Sequence, residues 1–296
     1  MKNPLFYRFS QLVGFLLGAR IFVALLLTFA LYVSTFFLFN QEESLADFVF
    51  DFRVHGIIFC TVLSILAGGI INQFYDLEKD QLTKPFRTKI QSFLKQKYFL
   101  YAYLTLLVAS LLFSFLISPR VFFFFIIYQF FMWFYSHKLS KVLIVNNLTF
   151  VSLTLYPFFG MMVYYRTFSL NVFLMALFIF VILLLIDILK DTLTKNADKM
   201  FGYSTIPNFF GNKVSRAVII FLSLSLMLCS ALIIRLNGIH SIMDIYFASG
   251  LLVIVAVIFL SLQSFKKSNF YALNMLRIWI FAGIIAMLLD GIYTQF

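Results

Sequence analysis

The sequence predicts an all-α integral membrane protein of about nine transmembrane helices. Three observations carry that expectation. Of the 296 residues, 62% are hydrophobic and only 12% are charged. Mean hydropathy is +0.98, more than a soluble domain of this length can bury. The apolar residues also fall in runs near the ~20 residues that a helix needs to cross a bilayer.

Taken in order, the chain opens with Lys2, Arg8 and Arg20 set among Phe, Leu and Val. That pattern suits an interfacial amphipathic helix. A cleaved signal peptide is not expected, because no short apolar core precedes a small-residue cleavage site. A first span is expected over 21–39, followed by an acidic loop over 40–53 with Glu42, Glu43, Asp47 and Asp51. The second span starts near 57 and delivers Asn72 close to its end. Later spans are expected over 98–118, 121–135, 142–164, 169–189, 214–234, 243–262 and 275–293. The tight link Ser118-Pro119-Arg120 predicts a hairpin between two of them. The whole chain, 1–296, reads as a single domain.

Net charge is +11, with no nucleic-acid-binding motif to account for it. Basic loops on one membrane side explain it instead. With the N-terminus inside, the inner segments hold 17 Lys and Arg, and the outer ones hold four: Arg53, Arg120, Arg166 and Arg235. This asymmetry predicts a cytoplasmic N-terminus, an outer C-terminus and residence in a bacterial inner membrane. Cys60 and Cys229 lie in apolar runs and frame no disulfide; His55, His137 and His240 are too dispersed for a metal pattern.

Residues 72–87 read N-Q-F-Y-D-L-E-K-D-Q-L-T-K-P-F-R. Asn72, Asp76 and Asp80 stand at i, i+4 and i+8, on one helical face. Carboxylates stacked in this way repel unless a cation lies among them. Hard oxygen ligands suit Mg²⁺, which takes one or two carboxylates plus substrate phosphates. Lys84 and Arg87 then provide charge for phosphate oxygens, and Pro85 interrupts the helix between them.

A second acidic stretch closes the sixth span. Asp187, Asp191 and Asp198 can share a helical face, with Lys190 beside them. Half of the twelve acidic residues sit in these two short segments, Glu78 included. Two carboxylate groups on one predicted membrane side, each followed by Lys or Arg, are what a diphosphate bridged by Mg²⁺ needs. Taken alone, either cluster also fits an ordinary solvated helix end.

These residues resemble the UbiA family of membrane prenyltransferases. Asn72, Asp76 and Asp80 match that family's N-D-x-x-D-x-x-x-D motif, and T-K-P-F-R resembles its extension. Lys190-Asp191 to Asp198, with Gly202, Thr205, Pro207 and Gly211, resembles the second motif and its tail. Tyr135, Ser136, Leu139 and Lys141 resemble a Y-S-x-x-L-K element between the fourth and fifth spans. Gln73 and Thr194 each stand where the family usually has Asp. A Gln at position 73 is similar to the branch that prenylates homogentisate.

The resemblance implies a helical bundle around a central cavity. It implies Mg²⁺-dependent transfer of a polyprenyl group from its diphosphate to an acceptor, aromatic or lipid, inside the membrane. On this reading Asn72, Asp76 and Asp80 serve one Mg²⁺, and Asp191 and Asp198, with Asp187 in reserve, serve a second. Lys84, Arg87, Lys141 and Lys190 contact the diphosphate. Expected partners are the polyprenyl diphosphate, the acceptor and membrane lipids, with no nucleic acid. A terpene cyclase of the same fold, a non-catalytic lipid-binding member and a transporter are the alternatives.

Overall fold

A computed structural model of the chain describes residues 4–40, 44–263 and 266–295; Lys2, Glu42 and Glu43 lie outside them. The described residues form helices and no strand. They divide into two compact units, Met1–Tyr32 with Glu42–Ser140, and Val33–Gln41 with Lys141–Phe296.

Unit one contains α1 (Pro4–Gly18), most of α2 (Ile21–Ser34), α3 (Leu45–Phe50), α4 (Phe52–Thr83), α5 (Pro85–Gln91), α6 (Gln96–Ile117) and α7 (Pro119–His137). The 32-residue α4 is its spine and packs on α6 and α7. Asp51 starts α4: its Oδ1 accepts from the backbone N–H of Arg53 and Val54 at 2.9 and 3.2 Å. This satisfies donors that a helix start leaves open. Pro85 ends it, because the residue before a proline avoids helical geometry. Lys84 accordingly lies at φ −139°, ψ 55° and serves as the hinge into α5. At the predicted hairpin, Ser118 Oγ accepts from Val121 N–H at 3.2 Å and Pro119 takes the first helical position of α7.

Two features fix the packing of unit one. A buried polar triad joins three helices: Ser64 and Ser110 hydroxyls lie 3.0 Å apart, and Gln129 Nε2 donates to Ser64 Oγ at 3.1 Å. At Gly69 a Cβ would come within 2.8 Å of the Ala19 carbonyl oxygen, so only glycine lets α4 pass the α1–α2 junction.

Unit two contains a π-helical turn (Thr35–Phe39), α8 (Val145–Tyr165), α9 (Leu170–Met200), α10 (Ile206–Phe209), α11 (Gly211–Asn237), α12 (Ile242–Leu262) and α13 (Lys266–Gln295). Helices α9, α11, α12 and α13 pack in a closed cycle around Leu185, Leu226, Ile233, Ile254, Val257 and Leu276, all fully buried. Ser169 caps α9 by accepting from Val172 N–H. Ser241 caps α12, and Asp290 of α13 adds a second acceptor there, taking the N–H of Ile242 and Met243 at 2.7 and 3.3 Å.

Eight helices among the described residues are long and apolar enough to cross a membrane. Together with the 19-residue α7 they occupy the nine expected positions. Helix α7 carries Arg120, Gln129 and three Tyr or Trp rings, which lower its apolarity. The second and ninth spans begin earlier than the apolar runs alone suggest: Asp51 caps an added polar turn on α4, and α13 starts at Lys266 in a polar turn. The sixth runs on to Met200, so its acidic stretch is helical throughout.

Candidate active site

In unit one, Asn72, Asp76 and Asp80 all lie on α4. Asn72 Nδ2 donates to Asp76 Oδ2 at 2.7 Å, which orients that carboxylate. Asp80 is 3% exposed, and its Oδ1 lies 2.8 Å from Lys84 Nζ. Arg87 Nη2 donates to the Leu17 carbonyl at 2.6 Å, tying α5 to the end of α1.

Arg20, at that same α1–α2 junction, completes a basic group that the sequence reading had left out. It adopts a left-handed φ of 54° beside Gly69. Burial pushes down the pKa of both Lys84 and Arg87, and the nearby Arg20 charge lowers both further. For Lys84, burial is the larger cause of the lowering and Asp80 opposes it. The Nε atoms of Arg20 and Arg87 are each buried without a hydrogen-bond partner. Buried guanidinium donors left open are costly unless an anion takes them.

Gln73 sits elsewhere on the helix. It is buried, and a Cβ at Gly18 of α1 would lie 2.4 Å from its Oε1. It therefore packs against α1, about 100° round the helix from Asn72 and about 60° from Asp76.

In unit two, Asp187, Asp191 and Asp198 of α9 are 3%, 6% and 0% exposed. Asn147 at the start of α8 joins the first two: its Nδ2 donates to Asp187 Oδ2 at 2.8 Å and to Asp191 Oδ2 at 2.9 Å. Asn147 Oδ1 is buried with no partner. Lys190 Nζ pairs with Asp187 Oδ1 at 2.9 Å and lies 5.3 Å from the Phe150 ring centre. Thr194 donates to Asp198 Oδ2 at 2.7 Å, so a hydroxyl supports this carboxylate where the family pattern has a second acid. Lys141 Nζ lies over the Tyr203 ring at 5.3 Å, and its carbonyl accepts from Ser204 N–H. Gly202, at φ 73°, makes the left-handed turn that brings this segment back after α9.

Among the described residues, no three His, Cys, Asp or Glu side chains are gathered tightly enough to enclose an ion. The structure instead provides pairs: Asp76 with Asn72, and Asp187 with Asp191. That donor set fits Mg²⁺, which keeps water and substrate phosphates in its coordination shell and rarely uses an all-protein cage. The open Asn147 Oδ1 is a further hard oxygen beside the second pair.

Asn147 and Arg20 were missed from the sequence. The Asn146-Asn147 pair inside an apolar run was the available signal for the first. An arginine at the head of a span was the signal for the second.

The sequence profile of the UbiA prenyltransferase family matches residues 45–282. The chain belongs to this family. It is a prenyltransferase and a multi-pass integral membrane protein. A digeranylgeranylglyceryl phosphate synthase from Methanosphaera stadtmanae is 25% identical over 217 residues, covering 73% of this chain and 79% of the relative. The solved structure of a digeranylgeranylglyceryl phosphate synthase superposes with a TM-score of 0.72 at 20% identity, covering 96% of this chain and 99% of the other. A UbiA homologue from Archaeoglobus fulgidus, solved bound to GPP and Mg²⁺, gives a TM-score of 0.66 at 14% identity, covering 93% and 99%. At these identities the structural likeness establishes the fold.

Proposed function

We propose that this UbiA member uses Mg²⁺ to transfer a polyprenyl group from its diphosphate to an acceptor within the membrane, the whole chain acting as one catalytic domain. The observation that carries the reading is the Asn147 amide held between the buried Asp187 and Asp191 carboxylates. Two carboxylates this close and this buried are kept at a cost that cation binding offsets. The basic group of Arg20, Lys84 and Arg87, with its two open Nε donors, supports an anionic substrate.

In this reading Asn72, Asp76 and Asp80 hold one Mg²⁺, and Asp187, Asp191 and Asp198 hold a second. Bound Mg²⁺ would neutralise charge as the diphosphate leaves. Asn72 and Asn147 orient the ligating carboxylates. Lys84, Arg87 and Arg20 donate to diphosphate oxygens while the prenyl C–O bond breaks, and Lys141 and Lys190 supply further positive charge. Apolar surroundings shield the allylic cation from water until the acceptor attacks its carbon. The loop-charge asymmetry supports a cytoplasmic N-terminus and cytoplasmic carboxylate ends, in an inner membrane.

Two acceptor classes are in play. The motif resemblance implies an aromatic ring. The Methanosphaera relative is named for a glyceryl phosphate product, which favours a glyceryl phosphate lipid. The test supplies membranes with a labelled polyprenyl diphosphate, Mg²⁺ and each acceptor in turn, and follows prenylated product and released diphosphate. Acceptor-dependent product, lost in Asp76→Ala, is expected. Retained Mg²⁺-dependent transfer by a folded Asp76→Ala protein refutes the site. Diphosphate release without any acceptor identifies a cyclase.

A further inference from the structure

Unit two has a polar cavity whose lining contains none of the residues assigned to prenyl transfer. It opens where the four cycle-forming helices end and encloses about 260 Å³. Thr192, Lys195 and Asn196 of α9 line one wall, about a third of a turn round that helix from the carboxylates. Asn212, Ser215 and Arg216 come from the first turns of α11, Ser261 and Gln263 from the end of α12, and Asn269 from the start of α13.

The lining chemistry is one-sided. It holds two cations, seven neutral polar side chains and one apolar residue, Ile219, with no acid. The wider charge pattern agrees. Between Asp198 and Asp244 the charged residues are Lys199, Lys213, Arg216 and Arg235; between Asp244 and Asp290 they are Lys266, Lys267 and Arg277. Lys195 gives one bond to Asn212 Oδ1 at 2.8 Å, which leaves two of its three N–H donors. Asn269 donates to Thr192 Oγ1 at 3.1 Å, fixing α13 against α9 across the floor. Helix α12, whose end supplies Ser261 and Gln263 to the lining, also carries Val255, Phe259 and Leu262 as exposed apolar side chains along its membrane-spanning length.

A basic cleft at span ends, flanked by an exposed apolar helix face, has the features of a lipid phosphate site. We infer that this cavity binds the phosphate of an anionic membrane lipid, with the acyl or isoprenoid chains lying along α12. The site is separate from the carboxylate face and does not depend on the catalytic reading.

The test uses the full-length protein in detergent and native mass spectrometry, with phosphatidylglycerol or phosphatidylcholine of matched chains. Two cations at the surface predict about a thirty-fold preference for phosphatidylglycerol. The double variant K195Q/R216Q should abolish it. The single variant N212D, at an exposed rim position, places a negative charge in the cleft and should weaken it with little risk to folding, which thermal unfolding checks. A parallel arm adds millimolar glycerol 3-phosphate. If this displaces the lipid, the site recognises phosphate esters from either source; if not, the lipid chains contribute as well. Equal retention of the two lipids by wild type, or phosphatidylglycerol retention unchanged in folded N212D and K195Q/R216Q, overturns the proposal.

Discussion

The carboxylates of Asp187 and Asp191 share one donor, the Asn147 amide nitrogen, at 2.8 and 2.9 Å. One helix turn apart on α9, they are kept from splaying by a residue from another helix. The amide sets their spacing before any ligand arrives.

Replacing Asn147 with Leu should therefore loosen the pair without filling or emptying much space. Loss of a group that orients metal ligands typically costs about 10–100-fold in metal affinity. The Mg²⁺ concentration for half-maximal transfer should rise by about that factor, with rate partly recovered at high Mg²⁺. An unchanged Mg²⁺ titration removes Asn147 from the site.

Arg20→Gln and Arg87→Gln should each weaken prenyl diphosphate binding. A hydrogen bond to a charged group is worth about 1.5–3 kcal/mol, so KM for the diphosphate substrate should rise roughly 10–100-fold. Arg87→Gln should also lower thermal stability, because its guanidinium ties α5 to the Leu17 carbonyl. Arg20→Gln should leave stability nearly intact. Equal KM in wild type and Arg20→Gln contradicts the basic group as drawn.

Gln73→Asp restores the residue usual in the family. Here that position is buried beside Gly18 and Phe99 of the packed α1 and α6 contacts. A carboxylate placed there is desolvated without a partner, so folding should suffer and the transfer rate should not increase. A faster, equally stable Gln73→Asp enzyme would show that Gln73 acts on the substrate.

Asp290→Ala serves as a structural control. It removes the acceptor for the Ile242 and Met243 N–H groups at the start of α12. Stability should fall by about 1–2 kcal/mol, with activity per folded molecule unchanged. Thermal unfolding alongside a transfer assay reads both.

Much of this was legible in the sequence because the bilayer enforces a simple rule. Every spanning backbone must be helical, so apolar run length and loop charge give the helix order directly. The i, i+4 spacing of Asn72 with Asp76 and of Asp187 with Asp191 needed only helix geometry. What stayed hidden depended on tertiary approach. Asn147 lies 40 residues from Asp187 in sequence, and no local spacing links them. Arg20 reaches Arg87 only because Gly69 and the break after α1 bring their helices together. The lengths of α4 and α9 were underestimated because capped, charged turns continue a helix beyond its apolar stretch.

The Ser64–Ser110–Gln129 triad in unit one has one more effect. If α4 slid by a single turn against α6 and α7, Ser64 would keep its bond to the Cys60 carbonyl of its own helix, but the bonds that reach it from Ser110 and Gln129 would be lost. The triad thus acts as a register pin: it sets the height of α4, and with it that of Asn72, Asp76 and Asp80 further along the same helix, against α6 and α7.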